Sequence, residues 1–167
     1  MKKLLVPFCL TLIIFIGSAG VGQSADFQKG WTAYQSGDYA TALREWKPLA
    51  DQGHGVASYG LGVMYRDGQG VSKNYKTAVK WFKLAAELQD ALGQHNLAVM
   101  YVNGQGVPQD YIRAYMWWEI AASSGIKSIA AGAVSARDSA SKRMAPAEIA
   151  EAKKLARECI RKKYKGC

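Results

Sequence analysis

The strongest constraint on this chain is that it repeats itself. Leu61, Met64, Tyr65, Gly68, Gly70 and Val71 recur as Leu97, Met100, Tyr101, Gly104, Gly106 and Val107. Tyr75, Ala78, Trp81, Phe82, Ala85 and Ala86 recur as Tyr111, Ala114, Trp117, Trp118, Ala121 and Ala122. Every pair is 36 residues apart, so the match is one of register. A period of that size marks stacked supersecondary units, each too small to bury its apolar face alone.

Each unit divides at Gly-Gln-Gly. Before it, Ala57, Leu61, Met64 and Tyr65 fall at helical spacing; after it, Tyr75, Ala78, Phe82 and Ala85 form a second stripe. Glycine reaches positive φ without a Cβ penalty, so Gly68 and Gly104 are expected to end the first helix and free the turn. The unit is a helix hairpin. Small residues at Ala57, Gly62, Ala78, Ala85 and Ala86 let helices approach closely, and Tyr, Trp and Phe fill the layers between. In the second unit Gly93 and Ala98 replace Ala57 and Gly62, which keeps those positions small.

The pattern Leu-Gly-x-Met-Tyr-x-x-Gly-x-Gly-Val, then Ala-x-x-Trp and Ala-Ala, resembles the Sel1-like repeats, relatives of the tetratricopeptide repeats, over residues 57–125. The resemblance implies an all-α, right-handed α-solenoid acting as an interaction scaffold. About three helix hairpins and a C-terminal capping helix are expected.

The N-terminus is built differently. Lys2 and Lys3 precede an apolar run from Leu4 to Ile16, followed by small residues from Gly17 to Gly22. That is the layout of a secretory signal peptide over residues 1–25, with cleavage after Ala25, Ala19 or Gly22 all open. The rival reading is an uncleaved anchor, since Leu4 to Gly22 carries no charge, although Pro7, Thr11 and the glycines dilute it. Cys9 has the wrong place and neighbours for lipoprotein acylation. The expected location is the periplasm or the secreted space.

Export changes how the net charge of +9 is read. Residues 26–126 hold nine Lys/Arg and nine Asp/Glu, whereas residues 127–167 hold eleven and four. A basic balance points to nucleic acid in a cytosolic chain, but an exported chain rarely meets any, and no nucleic-acid partner is expected. The bland reading of the tail is a solvated helix face. The sharper one is attraction to an acidic partner or to anionic lipid headgroups.

Residues 26–126 divide into three repeats. The first is atypical, as terminal units are. Its Tyr39, Ala42, Trp46, Ala50 and Gly53 stand 72 residues before Tyr111, Ala114, Trp118, Ala122 and Gly125, and Gly30, Trp31, Ala33 and Tyr34 lie on its leading helix. The turn from Tyr34 to Tyr39 is five residues shorter than that from Tyr65 to Tyr75. Residues 127–167 are expected to form basic capping helices. Ser128 to Met144 is one, with Ile129, Gly132, Ala133 and Ala136 on one side. Pro146 opens the other, with Glu148 at its third position, and Ala145 lacks the oxygen that a capping Thr would supply. Cys159 and Cys167 are a candidate disulfide. Eight residues of continuous helix span about 12 Å, and bridged Cα atoms lie within roughly 7 Å, so the helix has to break near Lys162.

Motifs that resemble chemistry are weak. Gly68-Gln-Gly70 and Gly104-Gln-Gly106 have neither the preceding strand nor the Gly-Lys-Ser/Thr of a phosphate loop. Ser124-Gly-Ile-Lys127 and Ser139-Ala-Ser-Lys142 match the Ser-x-x-Lys nucleophile pattern. Some cysteine-rich relatives in the resembled family are associated with β-lactam binding, so an envelope enzyme or β-lactam-binding protein is the alternative function. The companion Ser-Asp-Asn and Lys-Thr-Gly motifs are absent from the sequence. His54 and His95 lack metal-site spacing and are expected at surface helix ends. No catalytic residue, cofactor or metal is assigned, and a non-enzyme is expected.

The aromatic series remains. Tyr65, Trp81, Tyr101 and Trp117 repeat in register and are the candidate partner-binding residues, because an exposed Trp or Tyr on a concave face is an interaction anchor. Solenoid stacking alone explains most such residues as core. The expected function is an exported adaptor in the cell envelope that holds a protein or peptide partner.

Overall fold

The structure, a computed structural model, describes residues 26–167, and the leader reading of residues 1–25 lies outside them. Among the described residues eight helices follow one another: α1 (Phe27–Gln35), α2 (Tyr39–Asp51), α3 (Gly55–Asp67), α4 (Tyr75–Glu87), α5 (Ala91–Asn103), α6 (Tyr111–Ala122), α7 (Lys127–Ser141) and α8 (Pro146–Arg161). The described residues contain no strand. Helices pair as α1 with α2, α3 with α4 and α5 with α6, and each hairpin packs on the next. Leading helices also touch along one layer, α3 with α5 and α5 with α7. The result is an α-solenoid, with α7 and α8 both packed on α6.

Local chemistry sets these boundaries. Asp26, Asp38, His54, Asn74, Asp90 and Asp110 each accept a backbone N–H at the start of their helix, which satisfies donors that have no intrahelical partner. The last two helices have no such side-chain cap, since Ile126 and Ala145 stand there. At α8 the Glu148 carboxylate instead accepts the Ala145 N–H at 2.7 Å. Gly68 and Gly104 end α3 and α5 with φ of 77° and 64°, in the left-handed region.

The second glycine of each loop does something else. A Cβ on Gly70 would lie 2.5 Å from the Cβ of Tyr39, the first residue of α2. A Cβ on Gly106 would press on the carbonyl of Tyr75, the first residue of α4. Each loop therefore rests on the second helix of the preceding hairpin, and that contact spaces the stack.

The core follows the expected stripes. Ala57, Leu61, Ala78, Phe82, Ala85, Ala86, Leu97 and Ala114 are buried. Gly62 lies under the Phe82 ring, and a Cβ on Gly93 would meet that of Ala85 at 2.5 Å. Gly132 departs from the expectation: it is exposed, with nothing near it, and the inward side of α7 is carried by Ala133 and Ala140. At the C-terminus α8 buries Ala152, Ala156 and Cys159. The helix ends at Arg161, Lys163 and Tyr164 take positive φ, and the chain turns back to a Cys159–Cys167 disulfide with Cα atoms 5.6 Å apart.

Two stability predictions follow from these contacts. Gly106→Ala is expected to cost about 1–3 kcal/mol more than Gly104→Ala in urea unfolding. Both positions have positive φ, but a Cβ at Gly104 meets its nearest neighbour, Gln109, at 3.5 Å. Cys167→Ser, which opens the loop closed by the disulfide, should lower stability by up to about 3 kcal/mol, read as a lower melting temperature.

Candidate functional site

Where α1 faces α3, the leading-helix layer opens into a cleft of about 390 Å³. Phe27, Gln28, Trp31 and Tyr34 of α1 form one wall, and Val56, Tyr59 and Val63 of α3 form the other. Leu92 of α5 closes the far end, and Trp46 of α2 lies at the floor. Burial of apolar side chains accounts for the floor. Trp46 is 1% exposed and donates its indole N–H to the Phe27 carbonyl at 3.3 Å. Its ring sits on bare backbone, since a Cβ on Gly60 would lie 2.6 Å from it.

The walls are held by aromatic contacts. Trp31 stacks on Tyr34 with centroids 6.1 Å apart, and Tyr34 lies 5.4 Å from Trp46. The Tyr34 hydroxyl donates to Gln69 Oε1 at 2.7 Å, and the Gln69 amide donates to the Tyr39 hydroxyl at 3.2 Å. This fastens the α1 wall to the first Gly-x-Gly loop. Burial raises the pKa of Tyr34 and that of Tyr59 above the usual phenol value, so both remain neutral donors. Trp31 and Val56 are each 42% exposed at the mouth. A cleft lined by aromatic and aliphatic groups, with a few polar atoms at its edge, is chemically suited to taking a bulky apolar group out of water.

The Sel1 repeat family model matches residues 55–90 and 91–126, which are the α3–α4 and α5–α6 hairpins. Two of the hairpins are Sel1 repeats. A solved Sel1 repeat protein from Oxalobacter formigenes is 32% identical, with a TM-score of 0.58 over 62% of this chain and 42% of that one. A protective antigen from uropathogenic Escherichia coli strains, displaying an SLR fold, is 22% identical with a TM-score of 0.73. That match covers 81% of this chain and 30% of the antigen, and it speaks for the fold alone. This chain thus spans less than half of either protein. No curated protein matches it. The α1–α2 hairpin, which supplies five of the ten residues lining the cleft, precedes the two Sel1 repeats, whose helices α3 and α5 supply the other five.

The four register aromatics lie elsewhere. Trp117 is wholly buried within α6 and has no surface to offer a partner. Its neighbour Trp118 is 4% exposed, and neither indole N–H has a hydrogen-bond partner. Trp81 is half-buried on α4, with the Lys47 ammonium 5.4 Å above its ring. Tyr65 and Tyr101 are half-buried near the ends of α3 and α5, and the Arg113 guanidinium covers Tyr101 at 5.9 Å. None of the four lines the cleft, and no ring contact joins any two of them. Period matching selected them because the Sel1 repeats share them. The cleft mixes the two kinds of residue: Trp46 and Val63 have register counterparts in Trp118 and Val99, whereas Phe27 and Trp31 belong to the atypical first helix. The available signal was the Trp31/Tyr34 pair on an atypical first helix.

The serines and histidines are now placed as well. Ser139 donates to the Ser135 carbonyl at 2.9 Å on exposed α7, and the Ser124 hydroxyl is buried without a partner. Neither hydroxyl has a hydrogen bond to Lys127 or Lys142 among the described residues. Likewise, no cluster of metal-ligating side chains occurs among those residues. His54 is exposed at the start of α3, as expected. His95 corrects the expectation: it is half-buried in the body of α5, 6.1 Å from the Trp118 ring. Its surroundings favour the neutral imidazole, because burial lowers its pKa below 6.5. The stabilisation from a neutral His95 is present above the unfolded value and is lost as pH falls through the lower, folded one. The melting temperature is therefore expected to drop between pH 7 and pH 5, and to drop less in His95→Gln.

Proposed function

We propose that this protein is an exported, non-catalytic adaptor of the cell envelope that holds a protein partner in the α1–α3 cleft. Sel1 repeats generally serve as protein–protein interaction scaffolds. The observation that carries this reading is the cleft itself. Two large apolar side chains, Trp31 and Val56, stand 42% exposed at the mouth of a cavity whose floor is a buried tryptophan. Exposed aromatics backed by a rigid apolar pocket are where binding energy concentrates.

The occupant that fits is a peptide segment presenting a bulky aliphatic or aromatic side chain, with the Tyr59 hydroxyl and the Gln28 amide available to its backbone. Export is supported by the layout of residues 1–25 and by the Cys159–Cys167 disulfide, which belongs to an oxidising compartment. No helix among the described residues is long and apolar enough to cross a membrane.

The test is in-cell crosslinking of the tagged protein, followed by binding measurements with the purified partner. Trp31→Ala should weaken partner binding at least about tenfold while leaving the circular dichroism spectrum unchanged. Trp81→Ala, outside the cleft, should leave binding intact. A partner that binds Trp31→Ala as tightly as the parent would remove the cleft from the interface.

A further inference from the structure

The outer face of α8 is a second surface, independent of the cleft. Its inner stripe of Ala152, Ala156 and Cys159 is buried. Lys153, Lys154, Arg157 and Arg161 point to solvent, and Lys162, Lys163 and Lys165 follow in an exposed turn. Against these seven cations, the segment from Lys153 to Cys167 contains one acid, Glu158.

None of the seven has a carboxylate within 4.0 Å among the described residues, although Glu158 stands at helical spacing from Lys154, Arg161 and Lys162. Of the nine Lys/Arg in residues 26–126, six have a carboxylate within 4.0 Å, such as Lys29 with Glu45 at 2.8 Å and Arg113 with Asp110 at 2.9 Å, while Lys73, Lys76 and Lys80 have none.

Two bland explanations fall short. A terminal helix needs a polar outer face to keep the stack soluble, but polarity of either sign would serve. Cations also favour a helix C-terminus, which accounts for Arg161 and Lys162 but not for Lys153, Lys154 or Arg157, one to two turns earlier. A single-sign field that repels itself is what an anionic partner would relieve.

Three features say which partner. Ile160 is 43% exposed among the cations, three residues after Arg157 and seven after Lys153, so it shares their face. The face carries five lysines and two arginines, with no exposed aromatic ring for base stacking. The disulfide folds residues 162–165 back beside the helix end, which gathers the cations into one patch.

We propose that the outer face of α8 docks the protein on an anionic lipid bilayer, with the ammonium groups at the phosphates and Ile160 at the headgroup boundary. Clustered Lys and Arg on a helix face are drawn to such surfaces, and a single aliphatic group adds apolar contact.

The test is co-sedimentation of the full chain with vesicles of phosphatidylcholine alone, or with three-tenths phosphatidylglycerol. The parent is compared with a variant carrying Lys153→Gln, Lys154→Gln, Arg157→Gln and Arg161→Gln. Residues 1–25 are present in both proteins, so the difference between them reports α8. Binding should be at least about tenfold tighter on the anionic vesicles and should fall at least about tenfold between 50 and 300 mM salt. The fourfold variant should lose that preference with its helicity unchanged, and Ile160→Ser should weaken binding while keeping the salt slope. Equal binding to neutral and anionic vesicles would overturn the proposal, as would a fourfold variant that binds like the parent. Tighter binding of a duplex oligonucleotide than of anionic vesicles at 150 mM salt would assign the face to nucleic acid instead. Neither outcome bears on the cleft, whose partner is tested separately through Trp31.

Discussion

The fold depends on rings lying on bare backbone. Trp46 and Phe82, 36 residues apart, are both fully buried on second helices of their hairpins. Trp46 rests against Gly30 of its own hairpin and Gly60 of the next, and Phe82 rests against Gly62. A ring on a glycine brings two helices closer than any side-chain layer would allow, and interiors packed to that density do not absorb an extra methyl without shifting. The alanines at full burial, Ala42, Ala57, Ala78, Ala85 and Ala114, extend the same close approach along each helix.

That packing also produces the cleft. With Trp46 held flat between α1 and α3, its edge becomes the floor of an opening, and the short Tyr34–Tyr39 connection holds α1 against it. The Tyr34–Gln69–Tyr39 hydrogen-bond chain then ties this first hairpin to the loop of the second. A preformed apolar cleft costs a partner little ordering on the protein's side, which is the condition under which a small contact area can bind usefully.

The fold was legible because its determinants repeat. A register of 36 residues, glycines that break each unit and stripes at helical spacing specify hairpins, and the helices end where Gly68 and Gly104 stand. One repeating signal went unread: Asp38, Asn74 and Asp110, also 36 residues apart, each cap the helix that follows. The break of α8 near Lys162 followed from the reach of a disulfide and needed no repeat. The site was less legible, for a physical reason. Residues that recur are those every layer needs for packing, so Trp117 is core. The aromatic wall of the cleft is made where the first layer differs from the next, as at Phe27 and Trp31. A repeat alignment therefore points away from it.

Charge is distributed by the same logic. Within the stack, a cation can be matched by an acid on a neighbouring helix, as Arg137 of α7 is by Glu119 of α6. Among the described residues no helix packs over the outer face of α8, and none of its cations has a carboxylate within 4.0 Å. The described residues thus differ from the two Sel1 repeats on either side of them. The aromatic first hairpin offers an apolar recess, and the last helix offers a cationic face with one exposed isoleucine. The two Sel1 repeats join these surfaces, and their helices α3 and α5 also line the recess.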